Sequence, residues 1–185
     1  MERNFETVLA EQCAPTLAGI KPANLFTWTD AKKANLSYWR GIMSPYGLTL
    51  RILKVCPVSG KCLIYLFRKA WLCEILAEPS VRAFLNRLGY PDADCSTLLH
   101  CLSGRLRSGE EFPHEIGIFL GYPLEDVEGF MENHGKNCAC CGCWKVYGNP
   151  AQARQRFAEY HRCTDFYCEK VRTGTPLSCL IASAG

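Results

Sequence analysis

The chain has 185 residues, 48% of them hydrophobic, with 21 Lys and Arg against 18 Asp and Glu, for a net charge of +3. That length supports one domain with a sizeable core, and the charge balance by itself points to no polyanion partner. No run of about eighteen apolar residues occurs, so no membrane span is expected, and the charged opening MERNFETVLAEQ lacks the apolar core and cleavage site of a signal peptide.

Thirteen cysteines are an odd and high number. Without a signal peptide they argue against a secreted disulfide framework. A cytoplasmic location is expected, where these residues are thiols, metal ligands or redox pairs. Isolated ones on apolar helix faces, such as Cys73 and Cys101, read as small buried hydrophobes.

In chain order, residues 3–12 read as a short helix with Phe5, Val8 and Leu9 on one face. Pro15 is expected to break it, and Gly19 and Pro22 to keep the following apolar stretch irregular. So apolar a loop must cover a core or line a cavity. Residues 28–40 interleave Trp28, Tyr38 and Trp39 with Lys32, Lys33 and Arg40. Such a cluster can stack single-stranded nucleic acid, but a solvated helix face with a buried aromatic side is the simpler reading.

Residues 48–55 and 61–68 read as two strands, with Pro57 to Gly60 as the turn. Both carry apolar residues on both faces, as expected of a hairpin covered on each side. Helices follow over 70–77, 81–88 and 95–107, the last capped by Asp94. Next comes the most specific stretch of the chain, Phe112 to Tyr147. Pro113 and Pro123 are expected to begin two short helices, which Gly121 and Gly135 end. A cysteine-rich turn and a strand at 144–147 complete the stretch. Asn149 and Pro150 then open a helix reaching Val171, and 177–185 is an apolar tail. The expected architecture is one α+β domain over 1–185, a small antiparallel sheet made of the 48–68 hairpin plus a strand near 144–147, covered by several helices.

Two short helices joined by a glycine turn suggest a helix-turn-helix. The second helix carries Glu125, Asp126, Glu128 and Glu132 and no Lys or Arg before Lys136. Phosphates would repel it, so DNA binding is not expected. The acidic segment 123–134 is instead a candidate surface for a basic protein partner.

Four segments together, Cys13 to Phe26, Phe112 to Pro123, Asn137-Cys138 and Trp144 to Gly148, resemble an uncharacterised family of anaerobic, mainly clostridial, bacteria, domain-of-unknown-function family 3793. The resemblance covers nearly the whole chain. It implies a bacterial, cytoplasmic protein of an anaerobe and no particular chemistry.

Three constellations could carry chemistry. Cys138, Cys140, Cys141 and Cys143 form two interlaced CxxC pairs, and thiolates are soft ligands for zinc or an iron–sulfur cluster. Cys163 and Cys168 could complete such a site, with His134 and His161 as spare ligands. The alternatives are a redox pair, favoured by the flanking Lys136 and Lys145, and a cysteine-rich turn with no ligand. The second constellation is Cys13 with His114 and Glu115, the residue types of an activated thiol nucleophile. The third is a ligand pocket of Asn24, Tyr122, Asn137, Trp144, Lys145 and Tyr147, polar or amphipathic residues in apolar surroundings. Cys13 and Cys138 are expected to approach each other over the 144–147 strand. The functional expectation is an accessory protein that binds a metal or small ligand, with a thiol-dependent enzyme or an interaction module as alternatives.

Overall fold

The computed structural model describes residues 4–29, 34–108 and 111–183. The chain forms two compact units, one of Met1–Ala70 with Tyr160–Gly185 and the other of Trp71–Glu159. Its elements make a mixed α+β fold.

In the first unit, α1 (Phe5–Leu17), α2 (Leu36–Met43) and the later turns of α8 (Pro150–Arg172) accompany three strands, β1 (Ala23–Trp28), β2 (Leu48–Val55) and β3 (Cys62–Arg68). The order is β1-β3-β2, antiparallel throughout, with β3 central. The expected hairpin therefore forms. Leu48 pairs Arg68 and Leu50 pairs Leu66, with a register shift between Ile52 and Lys54. β3 is buried along nearly its whole length, which is why it reads as a continuous apolar run. Its Ile64 and Leu66 share one core with Leu9, Cys13 and Leu17 of α1, Trp39 and Met43 of α2, and Tyr167 and Leu177 near the C-terminus.

The structure corrects two expectations here. The segment after Cys13 is not an irregular loop, because α1 runs through Pro15 to Leu17. A proline in the last helical turn costs a single ladder bond, and the buried apolar side chains around it outweigh that loss. Gly19, at φ 79°, then turns the chain. The third strand of the sheet is β1, not 144–147. Of the basic and aromatic cluster, Trp39 is core, Tyr38 is exposed, and Arg40 donates from Nε to Leu50 O at 2.9 Å; Lys32 and Lys33 lie outside the described residues.

The second unit is mainly helical. It contains α3 (Lys69–Ala77, all but its first two residues), α4 (Pro79–Arg87), α5 (Cys95–Ser108), α6 (Ile116–Phe119), α7 (Leu124–Glu132) and the first turns of α8. Capping is as the sequence implies: Thr97 N donates to Asp94 Oδ1 at 2.9 Å and Gln152 N to Asn149 Oδ1 at 3.1 Å. A two-residue ribbon, β4 (Cys140–Cys141) with β5 (Lys145–Val146), is a separate sheet. The 144–147 stretch is thus a strand as expected, but the adjacent cysteine turn supplies its partner. A short connection makes that pairing local, whereas joining the hairpin would close a loop of many residues. The helix expected from Pro113 begins only at Ile116, and Pro113 to Glu115 form a turn before it. Among the described residues no helix is long and apolar enough to cross a membrane.

Candidate functional site

The cysteine-rich turn is shaped by the ribbon. Cys140 pairs Val146 and Cys141 pairs Lys145, and consecutive strand residues point to opposite faces. Their thiols therefore diverge. Cys138 and Cys140 are half-buried while Cys141 and Cys143 are exposed, and all thirteen cysteines are free thiols. Among the described residues no group of three or more His, Cys, Asp and Glu side chains is placed to hold a metal ion. The four cysteines thus do not supply the donor set that zinc or an iron–sulfur cluster requires. Lys145, expected to keep thiolates ionised, instead donates to Gly135 O at 2.7 Å and lies 5.8 Å from the Phe130 ring centroid. Cys163 and Cys168 belong to the first unit, and the four-cysteine turn to the second.

Cys13 is fully buried in the core of the first unit. Burial pushes its thiol well above the ordinary thiol range, and the charge of Lys21 offsets only part of that. A thiol held neutral and shielded from solvent is a small core hydrophobe by its surroundings. His114 and Glu115 lie in the second unit. There His114 is exposed and Glu115 is buried at 3% exposure. Asn24 is on β1 of the first unit, where its Oδ1 accepts from Thr16 Oγ1 at 2.6 Å.

The rest of the expected pocket does come together in part. Tyr122 stacks on Trp144 with centroids 4.9 Å apart, and Trp144 meets Phe157 edge-on at 4.5 Å. The organiser of this cluster is Asp126, which the sequence presents as one charge of a solvated acidic face. It is buried at 3% exposure. Trp144 Nε1 donates to its Oδ2 at 2.7 Å, and the backbone N–H groups of Tyr147 and Gly148 donate to its Oδ1 at 2.7 and 2.8 Å. Tyr147 lies against Gly129, where an added Cβ would come within 2.5 Å of its side chain, and Tyr147 Oη donates to Lys136 O at 2.8 Å. Asn137 has φ 58° in the connecting turn. These bonds tie α7 to β5 around the buried Trp144, with Tyr122 and Tyr147 half-buried and Asn137 and Lys145 exposed. Glu128 of the same helix pairs with Arg87 at 2.6 Å. Two of its four carboxylates are thus already engaged, which weakens the acidic helix as a docking face.

An open cleft of the second unit lies elsewhere. It has a volume of about 640 Å³ and is bounded by the ends of α4 and α5, the 111–115 turn and Met131 of α7. At its base Glu115 accepts from Tyr90 Oη at 2.9 Å and from Arg105 Nη1 at 3.3 Å. Arg105 Nη2 also donates to Leu88 O, and the guanidinium lies 4.4 Å from the Tyr90 ring centroid. Burial first, and the charge of Glu115 second, raise the Tyr90 phenol, which keeps it a donor. The Arg105 side chain remains 39% exposed while that of Glu115 is 4% exposed. His114 is held on the wall between Phe112 and Phe130, at 5.7 and 4.9 Å between ring centroids.

Of the residues that line this cleft, sequence reading singles out His114 and Glu115 and misses Arg105 and Glu111, and it misses Tyr90, the buried partner of Glu115. Tyr90 and Glu115 are 25 positions apart, so no local spacing joins them. A smaller cleft of about 370 Å³ in the first unit, lined by Phe26, Trp28 and Lys61 among others, has no buried charged group on its wall.

No curated protein and no solved structure matches this chain. One family model, described as "Protein of unknown function (DUF3793)", matches residues 9–181. With nearly its whole length matched, the chain belongs to the DUF3793 family.

Proposed function

We propose that this protein binds a small organic molecule in the cleft over Arg105 and Glu115, as a cytoplasmic accessory protein. The observation that carries the reading is a buried Glu115 holding a partly exposed guanidinium at the base of a cleft of about 640 Å³. Ligand sites are typically concave, with volumes of about 300–1,000 Å³, and combine apolar walls with a few fixed polar groups. Leu88, Phe112 and Met131 supply the apolar wall and Arg105, Glu111 and His114 the polar groups. The ring contact with Tyr90 and the hydrogen bonds to the buried Glu115 and to Leu88 O hold the Arg105 guanidinium in place, so the fork is oriented before a ligand arrives. Thirteen free thiols suit a reducing compartment, which supports the cytoplasmic part of the proposal.

Saturation-transfer NMR with a diverse fragment library tests the reading. Ser108 is exposed on the rim, so Ser108→Trp should fill the cleft and leave the unfolding midpoint in place. Fragments that bind the wild type and are lost in Ser108→Trp are the expected result. An absence of binders, or binders indifferent to the substitution, would overturn it.

A further inference from the structure

We infer that the ligand is a free amino acid with an apolar side chain, its carboxylate on Arg105, its ammonium on Glu111 and its side chain against Phe112 and Met131. This rests on the cleft being a ligand site and adds the class of ligand.

The argument begins with the pairing of charges. The accessible wall carries one guanidinium, Arg105, and one exposed acidic side chain, Glu111; the second carboxylate, Glu115, is buried and already accepts from Tyr90 and Arg105. A plain anion seated on Arg105 would share the wall with the carboxylate of Glu111. A plain cation seated on Glu111 would leave the remaining N–H donors of Arg105, whose charge Glu115 already offsets, unused. A zwitterion meets each charge with its opposite, and charge complementarity of that kind sets specificity more than affinity.

The cationic end is also built for a carboxylate. A guanidinium has five N–H donors in a planar fork that matches a carboxylate's two oxygens. The hydrogen bonds of Arg105 to Glu115 and to Leu88 O use one donor on each terminal nitrogen. The plane is held by the Tyr90 ring at 4.4 Å. A fork already oriented loses little freedom when a carboxylate docks.

The apolar end follows from exposure. Phe112 is 53% exposed, a large hydrophobic residue beside a cleft, and Met131 and Leu88 extend the same wall. A methionine adapts its shape to varied apolar groups. An aliphatic or aromatic side chain on this wall would cover the Phe112 ring, at about 25 cal/mol per Å² removed from water.

Titration calorimetry with L-phenylalanine and L-leucine tests the inference, with L-phenylalaninamide and N-acetyl-L-phenylalanine as probes lacking one charge each. Both amino acids should bind, and each derivative should bind about tenfold or more weakly, the loss of one charge-assisted contact. Glu111→Gln, at an exposed position, should weaken L-phenylalanine and abolish the discrimination against the N-acetyl derivative. Arg105→Lys, which keeps the charge and loses the fork, should weaken L-phenylalanine and narrow the discrimination against the amide, with the unfolding midpoint recorded beside it. Derivatives binding as tightly as the parents, or a Glu111→Gln protein that still discriminates, would overturn the inference. If fragments bind in the cleft and neither amino acid does, the ligand class fails and the ligand site stands. If amino acids bind Ser108→Trp as they bind the wild type, the placement in this cleft fails.

Discussion

The indole N–H of Trp144 donates to the buried carboxylate of Asp126 at 2.7 Å. The same carboxylate accepts two backbone N–H groups, from Tyr147 and Gly148. One acidic side chain thus joins a helix, a strand and the turn into α8. Replacing it leaves three donors, one of them the buried indole N–H, without an acceptor of the right kind. Asp126→Asn turns an amide toward at least one of those donors and should destabilise the protein by about 2–4 kcal/mol. Urea unfolding followed by tryptophan fluorescence reads it directly. Glu132→Gln, at an exposed position on the same helix, should change the midpoint little.

Arg68 should show a comparable loss in the first unit. It is 5% exposed, and its donors go to main-chain carbonyls: Nε to Thr16 O at 2.8 Å, and Nη2 to Leu17 O and Ala182 O at 2.9 Å each. These caps close the C-terminus of α1 and hold the C-terminal tail beside it. Arg68→Met should cost about 3 kcal/mol, and Arg68→Lys should recover only part, because an ammonium cannot span the same carbonyls. Amide hydrogen exchange should speed up at Ala182, whose N–H bonds to Leu17 O.

Cys56, at the hairpin turn, has the opposite behaviour to Cys13. The Ser59 hydroxyl first, then the backbone N–H groups of Ser59 and Val58, lower its thiol to about 7. Its thiolate fraction therefore rises as pH passes upward through about 7, well below the ordinary thiol midpoint. Alkylation by iodoacetamide, followed by peptide mass spectrometry, should show Cys56 reacting along that curve. Ser59→Ala should move the curve to higher pH. Cys13 should stay unmodified over the same range while the protein is folded, since it is fully buried.

Metal removal should leave the fold intact. A structural zinc site supplies about 10–16 kcal/mol of folding free energy in small zinc domains, so its loss is conspicuous. With the thiols of Cys140 and Cys141 directed to opposite faces of the ribbon, treatment with a strong chelator should not shift the thermal midpoint. A large drop in the chelated protein, restored by zinc and not by magnesium, would show that the turn rearranges to bind metal.

Gly142 offers a packing test. A Cβ there would lie 2.2 Å from the Phe157 ring. Gly142→Ala should therefore cost about 1–3 kcal/mol by overpacking, and Gly142→Ala with Phe157→Leu should recover part of it. Additive losses in the double-mutant cycle would show that the two positions do not press on each other.

The sequence by itself determined the elements whose causes are local. The hairpin of β2 and β3 follows from two apolar runs and a Pro57–Gly60 turn. The caps at Asp94 and Asn149 follow from side chains within reach of their own helix N-termini. Chain patterning also separates strand from helix across most of the molecule. What only the tertiary structure decided is where each element finds its partner, and which charges are internal. β1 rather than β5 completes the three-stranded sheet, because pairing depends on what lies across a gap and not on a strand's own composition. Asp126 and Glu115 look like surface acids in sequence, since the donors that make burial tolerable, Trp144, Tyr90 and Arg105, are brought to them only by folding. Cys13 reads as a reactive thiol beside a broken helix, and the core closed over it removes both the solvent and the charge that reactivity needs.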